Sequence, residues 1–80
     1  MKNQASVSQR IIEAIEEIPL ISSVTSTQQI LMSLAPDPGL RGLTVVAFLD
    51  ALHALIRKGD IERQGKSWRL TNKYLDSRED

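Results

Sequence analysis

Apolar residues recur at helical spacing in the first part of the chain. Ser6 and Gln9 have the spacing of a capping box, so we expect a helix to begin near Ser6. Pro19 lacks an amide hydrogen and disfavours helix at the preceding residue, so this helix should end near residue 18. The pattern predicts helix 1 over about 6–18, after a disordered stretch at 1–5. Its apolar face consists of Val7, Ile11, Ala14, Ile15 and Ile18.

A second, shorter helix is predicted over about 26–34. Thr25 or Ser26 begins it, because each is followed three residues later by a glutamine. Residues 35–39 contain two prolines and a glycine, which cannot extend a helix. Residues 20–24 mix apolar and polar positions, and this connector has room for one brief strand.

The clearest helical pattern predicts helix 3 over about 44–58. Thr44 is the expected N-cap, and Gly59 supplies the left-handed residue that ends many helices. The inward side is expected to hold Val45, Phe48, Leu49, Leu52, Leu55 and Ile56. The opposite side, here called the outer face, is expected to hold Val46, Ala47, Asp50, His53, Ala54 and Arg57. A partner of this helix would meet the outer face.

Residues 61–70 alternate with period two around a glycine-containing turn, which predicts a β-hairpin over about 60–70. Two registers are open. One has a four-residue loop and pairs Glu62 with Arg69, whereas the other has a two-residue loop and puts Arg63 opposite Lys66. The first is favoured because opposite charges attract across a ladder. Residues 73–80 are expected to form a short turn or tail.

The predicted core gathers apolar residues from all of these elements. Its members are Ile11, Ile15, Ile18, Ile30, Leu34, Leu49, Leu52, Ile56, Ile61, Trp68 and Leu70. Trp68 has two interpretations: it closes the core beneath the hairpin, or it stacks on a base. The first is favoured, because period-two alternation puts Trp68 on the same face as Ile61 and Leu70.

Composition fits one small globular domain. The chain has 80 residues, of which 41% are hydrophobic and 25% charged, close to the globular average. Cysteine is absent, which excludes a disulfide scaffold and a thiolate zinc site. The longest apolar run is the five residues from Val45 to Leu49, far short of the ~20 that span a bilayer, and no secretory signal is visible. We therefore expect a cytoplasmic protein with no membrane partner.

Charge is polarised along the chain although the net charge is zero. Residues 41–74 contain seven lysines and arginines against three acidic residues, which gives +4. Residues 1–40 and 75–80 each carry −2. The basic excess thus coincides with helix 3 and the hairpin.

Residues suited to catalysis or metal binding are sparse. Asp50 and His53 lie three apart on one helical side, but the chain has no second histidine and no cysteine to complete a metal site. No Gly-x-Ser-x-Gly elbow and no glycine-rich phosphate loop is present. The sequence therefore predicts no enzyme, no metal and no cofactor.

The order of helix, short strand, helix, turn, helix and hairpin resembles the winged helix-turn-helix family. The stretch that carries the resemblance runs from Gly42-Leu43-Thr44 through Lys58-Gly59-Asp60-Ile61-Glu62-Arg63 to Gly65-Lys66-Ser67-Trp68-Arg69-Leu70. The resemblance covers about residues 6–72 and implies a mainly α domain with a small β-hairpin. It implies that helix 3 is the recognition helix and that the hairpin is the wing.

The resemblance also implies a transcriptional regulator that binds duplex DNA through helix 3 and the wing. Phosphate contacts are expected from Arg41, Arg63, Lys66 and Arg69, and from Thr27 and Gln28 at the start of helix 2. The residues expected nearest the base edges are Thr44, Val46, Ala47 and Asp50, with Arg57 in support.

A protein-interaction module is the alternative function. The outer face is poor in the arginines, asparagines and glutamines that usually read bases, and Val46, Ala47 and Ala54 form a small apolar patch on it. A homodimer, formed through helix 1 or through Tyr74 and Leu75, is a further expectation, since regulators of this kind often pair across a palindrome.

Overall fold

The computed structural model describes residues 3–40 and 42–77, and in this part of the chain the fold is mainly helical with one antiparallel hairpin. It confirms the predicted class and adds a short C-terminal helix. The elements are α1 (Asn3–Glu17), a 3₁₀ turn (Ile18–Leu20), α2 (Thr27–Leu34), a second 3₁₀ turn (Pro38–Leu40), α3 (Val45–Lys58), β1 (Ile61–Gln64), β2 (Ser67–Leu70) and α4 (Asn72–Ser77).

The first helix begins earlier than predicted. Its backbone is helical from Asn3, so Ser6 lies inside α1 and does not cap it. Helical backbone thus begins inside the stretch 1–5, for which we predicted disorder; Met1 and Lys2 lie outside the described residues. The extension has a simple cause, since residues 3–6 include no proline or glycine that would stop a helix.

The caps of α2 and α3 agree with the sequence. Ser26 Oγ accepts a hydrogen bond from the amide of Gln29 at 3.2 Å, and Thr44 Oγ1 accepts one from the amide of Ala47 at 3.1 Å. At the other end of α3, Gly59 adopts φ +83°, the left-handed conformation that glycine tolerates best. Each cap satisfies backbone groups that have no partner within the helix.

The hairpin adopts the register favoured on grounds of charge. Glu62 pairs with Arg69 and Arg63 with Trp68, flanked by the pairs Ile61–Leu70 and Gln64–Ser67. Because Gln64 and Ser67 still pair, only Gly65 and Lys66 form the turn, which is shorter than the four-residue loop expected for this register.

The brief strand considered for residues 20–24 does not form. Leu20 belongs to the 3₁₀ turn, and the backbone contact with β2 is made by Thr25, the residue after this stretch. Its carbonyl accepts from the amide of Trp68 at 2.9 Å, and its amide donates to Ser67 Oγ at 3.1 Å. One residue replaces a third strand, so the sheet in the described chain has two strands.

The core lies between α1 and the elements packed against it. Residues of α1 contact α2, α3 and β2. The buried apolar residues are Ile11, Ile12, Ala14, Ile15, Ile18, Ile30, Leu34, Leu40, Phe48, Leu52, Leu55, Ile61 and Trp68.

Three predicted core residues are less buried than expected. Leu49 and Leu70 are partly buried, and Ile56 is 37% exposed. The buried stripe of α3 is centred on Phe48, Leu52 and Leu55. A residue one position along the helix is rotated by about 100°, so Ile56 lies at the edge of the stripe. Val45, also expected on the inward side, is 57% exposed in the first turn of α3, so the predicted inward side was too wide.

Truncation of Leu52 to alanine tests this core. We expect Leu52→Ala to lower the free energy of unfolding by about 2–5 kcal/mol, because it leaves a cavity at a site that is only 2% exposed. Val46→Ala on the same helix removes an exposed side chain and should change that free energy by less than about 0.5 kcal/mol. Urea denaturation measures both, and equal midpoints for the two variants would contradict the packing of α3.

Candidate nucleic-acid interface

The outer face of α3 is open to solvent along the helix. Val46 is 69% exposed, and Ala47, Asp50, His53 and Arg57 are also exposed. Ala54 alone among the predicted members is half-buried. Thr44 is exposed at the N-cap, where its hydroxyl accepts from the amide of Ala47. The structure therefore brings five of the predicted site residues together on or beside one surface: Thr44, Val46, Ala47, Asp50 and Arg57.

The direction of the hairpin relative to α3 is fixed by a tight turn. The amide of Gly59 donates to the carbonyl of Ile56, and the amide of Asp60 donates to the carbonyl of Leu55, both at 3.0 Å. This pair of bonds is a Schellman motif, and β1 begins one residue later. The outer face and the hairpin thus have a defined relative orientation.

The chain after the hairpin bonds to the same turn between α3 and β1, here called the junction. Thr71 Oγ1 donates to the carbonyl of Gly59 at 2.5 Å and accepts from the amide of Tyr74 at 3.2 Å, so it also caps α4. Lys73 Nζ donates to the carbonyl of Lys58 at 2.6 Å. Two carbonyls at the end of α3 therefore have partners from the segment that follows the hairpin.

Arg69 is engaged within the hairpin. Its Nε lies 3.0 Å from Glu62 Oε2, and its Nη1 donates to Gln64 Oε1 at 3.5 Å. Both charged side chains are about half exposed, so this ion pair is weak, but it neutralises the charge of Arg69 at short range. A phosphate would have to compete with Glu62 for this guanidinium.

Arg63 covers the aromatic ring beneath the hairpin. It pairs directly with Trp68 across the ladder, so the two side chains lie on the same face. Its guanidinium carbon is 5.5 Å from the centroid of the Trp68 ring, and its Nε donates to the carbonyl of Gly65 at 3.1 Å. This is a cation–π contact combined with a bond to the turn, and both hold Arg63 against the protein.

Trp68 belongs to the core, as the favoured interpretation predicted. It is only 9% exposed, and its indole Nε1 donates to Thr27 Oγ1 at 2.9 Å. The bond joins β2 to the first residue of α2. The hydroxyl of Thr27, predicted to face a phosphate, is therefore already an acceptor within the fold.

Three of the other residues predicted to contact DNA have no such contacts with the described side chains. Lys66 lies at the hairpin turn, Arg57 in the last turn of α3 and Gln28 in the first turn of α2. All three side chains are exposed, and none forms an ion pair or hydrogen bond with a side chain described in residues 7–40 and 42–77. Arg41 lies outside the described residues.

A groove runs between the N-terminal half of α1 and the outer face of α3. Its volume is about 320 Å³, and the space exists because three of the α3 residues that line it are alanines with short side chains. The lining residues are Val7, Ser8, Ala47, Asp50, Ala51 and Ala54. Sequence reasoning missed the groove, because it depends on how closely α1 approaches α3.

The described residues contain no cluster of metal-ligand side chains and no helix that could span a membrane. No group of three or more histidine, aspartate or glutamate side chains in residues 3–40 and 42–77 is close enough to hold a metal ion. None of the helices in that range has both the length and the apolar character needed to cross a bilayer.

Comparison with family models, curated proteins and solved structures finds no match for this chain. The winged-helix resemblance therefore stays a prediction.

Removing the hydroxyl of Thr71 tests the junction between α3 and the hairpin. Thr71→Val keeps the shape of the side chain but loses the bond to Gly59 and the cap on α4, and should lower the free energy of unfolding by about 1–2 kcal/mol. Thr71→Ser retains the hydroxyl and should recover most of this loss. Thermal or urea denaturation of both variants checks the assignment, which is wrong if valine and serine behave alike.

Proposed function

We propose that this domain binds duplex DNA, with the outer face of α3 in the major groove and the hairpin turn beside a neighbouring phosphate. The observation that carries the proposal is an uncovered helix face joined by a rigid turn to a hairpin with an exposed lysine at its tip. A helix of 14 residues is about 21 Å long, and the major groove is wide enough to admit one. Regulation of transcription is the role that such binding would serve.

Base contacts in this proposal come from the first turns of α3. Val46 and Ala47 present methyl groups that suit the thymine methyl, and Thr44 lies at the N-cap beside them. Arg57 is two turns further along the helix than Asp50, so it supports the complex from the far end. Gln28 and the first amides of α2 are the phosphate contacts at the second helix.

Phosphate contacts should be few. The internal contacts of Arg63 and Arg69 speak against both as phosphate clamps, although their role stays a prediction. Lys66 is the wing cation without such a contact among the described side chains. We therefore expect a shallow dependence of affinity on salt, because each neutralised phosphate releases about one counterion.

A protein partner is the second candidate, favoured by the groove beside α3. The adjoining start of the helix exposes two large aliphatic side chains, Val45 at 57% and Val46 at 69%. Exposed apolar surface next to a concavity is typical of protein-binding sites. Homodimerisation through Tyr74 and Leu75 also stays a prediction; Leu75 is 38% exposed, whereas Tyr74 packs against the core.

Neutralising Lys66 tests the DNA proposal. Lys66→Ala should weaken binding several-fold on every duplex and lower the slope of log affinity against log salt by about 0.9. Lys58→Ala is the matched control, because the ammonium of Lys58 already lies 3.4 Å from the carboxylate of Asp60 and should contribute less. Fluorescence anisotropy with a labelled duplex at several salt concentrations measures both quantities.

Two results would contradict the proposal. The first is a folded wild-type protein that binds no duplex even at low salt. The second is binding that Lys66→Ala leaves unchanged in both affinity and salt dependence. Either result would favour the protein-partner function, in which the hairpin turn takes no part.

A further inference from the structure

We infer that Asp50 is the specificity-determining residue of the outer face and selects a cytosine in the major groove, while it weakens binding to other duplex DNA. The inference rests on the proposed function. Asp50 is acidic, and a surface that binds DNA is expected to avoid acidic side chains because phosphates repel them.

Asp50 lies in the middle of the outer face. It is exposed, with Val46 one turn before it and His53 and Ala54 one turn after it, and it borders the groove between α1 and α3. If the outer face enters the major groove, the carboxylate therefore lies among the base edges and not beside the phosphate backbone.

The charge of Asp50 is not neutralised within the described structure. The basic segment 41–74 contains two other acidic residues, and both form ion pairs: Asp60 with Lys58 at 3.4 Å and Glu62 with Arg69 at 3.0 Å. The carboxylate of Asp50 forms none with the side chains described in residues 7–40 and 42–77. It is thus available to accept hydrogen bonds from a ligand.

A carboxylate has only acceptors, which restricts the base it can contact. Guanine presents N7 and O6 in the major groove and thymine presents O4, all of which are acceptors that repel it. Adenine offers an amine but places the acceptor N7 beside it. Cytosine presents its N4 amine without an adjacent acceptor on the same base, so it is the base that fits a carboxylate best.

The same charge disfavours every other sequence. Where no cytosine amine is present, the carboxylate loses water without gaining a partner, and the phosphates of both strands repel it. Asp50 therefore acts by attraction to one base pair and by repulsion from the rest, which is how specificity is often achieved. With few phosphate contacts available, this residue has a large effect on which DNA is bound.

Selection from a random duplex library tests the inference. Wild-type protein should enrich sequences with one nearly invariant C·G pair. Asp50→Asn should shift that position toward adenine, because an asparagine amide pairs with adenine N6 and N7. Asp50→Ala should lose the preference at that position while binding random duplex several-fold more tightly.

Measured affinities give the second readout. Replacing the selected C·G pair should weaken wild-type binding about tenfold but leave Asp50→Ala within about twofold, since the side chain that reads the pair is gone. Asp76→Asn on α4 removes one exposed negative charge outside the outer face and should leave the sequence preference unchanged. All variants change exposed side chains, and circular dichroism confirms that they are folded.

The outcomes separate this inference from the proposed function. If folded wild-type protein enriches no duplex and binds none at low salt, the proposed function is wrong and the role of Asp50 with it. If wild type binds DNA but selects no cytosine, or if Asp50→Ala keeps the wild-type preference, DNA binding stands and the role assigned to Asp50 is overturned.

Discussion

The junction at the end of α3 is the constraint on which the candidate interface depends. Gly59 reverses the chain in a left-handed conformation, and Thr71 and Lys73 then bond the carbonyls of Gly59 and Lys58. These bonds satisfy polar groups that a helix end otherwise leaves to water. They also join the end of α3, both ends of the hairpin and the start of α4, so the hairpin cannot turn independently of the helix.

The features predicted correctly from the sequence are those set by local chemistry. Thr44, Gly59 and the Glu62–Arg69 pairing each follow from residues within a few positions or from one ladder of charges. The contact between Trp68 and Thr27 joins residues 41 positions apart, and no local pattern specifies it. The exposure of Ile56 was missed for a related reason, because the width of a buried stripe depends on what packs against the helix.

The sequence predicted which face of α3 is exposed, but it did not predict which basic side chains have contacts within the fold. The outer face of α3 follows from helical periodicity, and its exposure agrees. A count of basic residues treats Arg63 and Arg69 as free, whereas the fold gives one an aromatic ring and the other a glutamate. A signal was present: the chosen hairpin register already implied both contacts, because it sets Arg63 opposite Trp68 and Arg69 opposite Glu62.

Contacts within the fold affect how the basic segment 41–74 could interact with a ligand. The excess of +4 over residues 41–74 already subtracts Asp50, Asp60 and Glu62, so the ion pair of Arg69 with Glu62 does not lower it further. Contacts within the fold instead occupy hydrogen-bond donors of Arg69 and Lys73. Because the net charge of the whole chain is zero, duplex DNA bound as proposed would experience little long-range attraction, and its recognition would depend more on the shape and chemistry of the outer face. Where the electrostatic potential is weak, a single carboxylate without an ion pair, such as that of Asp50, changes it appreciably. Its charge equals in magnitude that of one exposed cation such as Lys66, so under the proposed function it would influence which ligands the outer face binds.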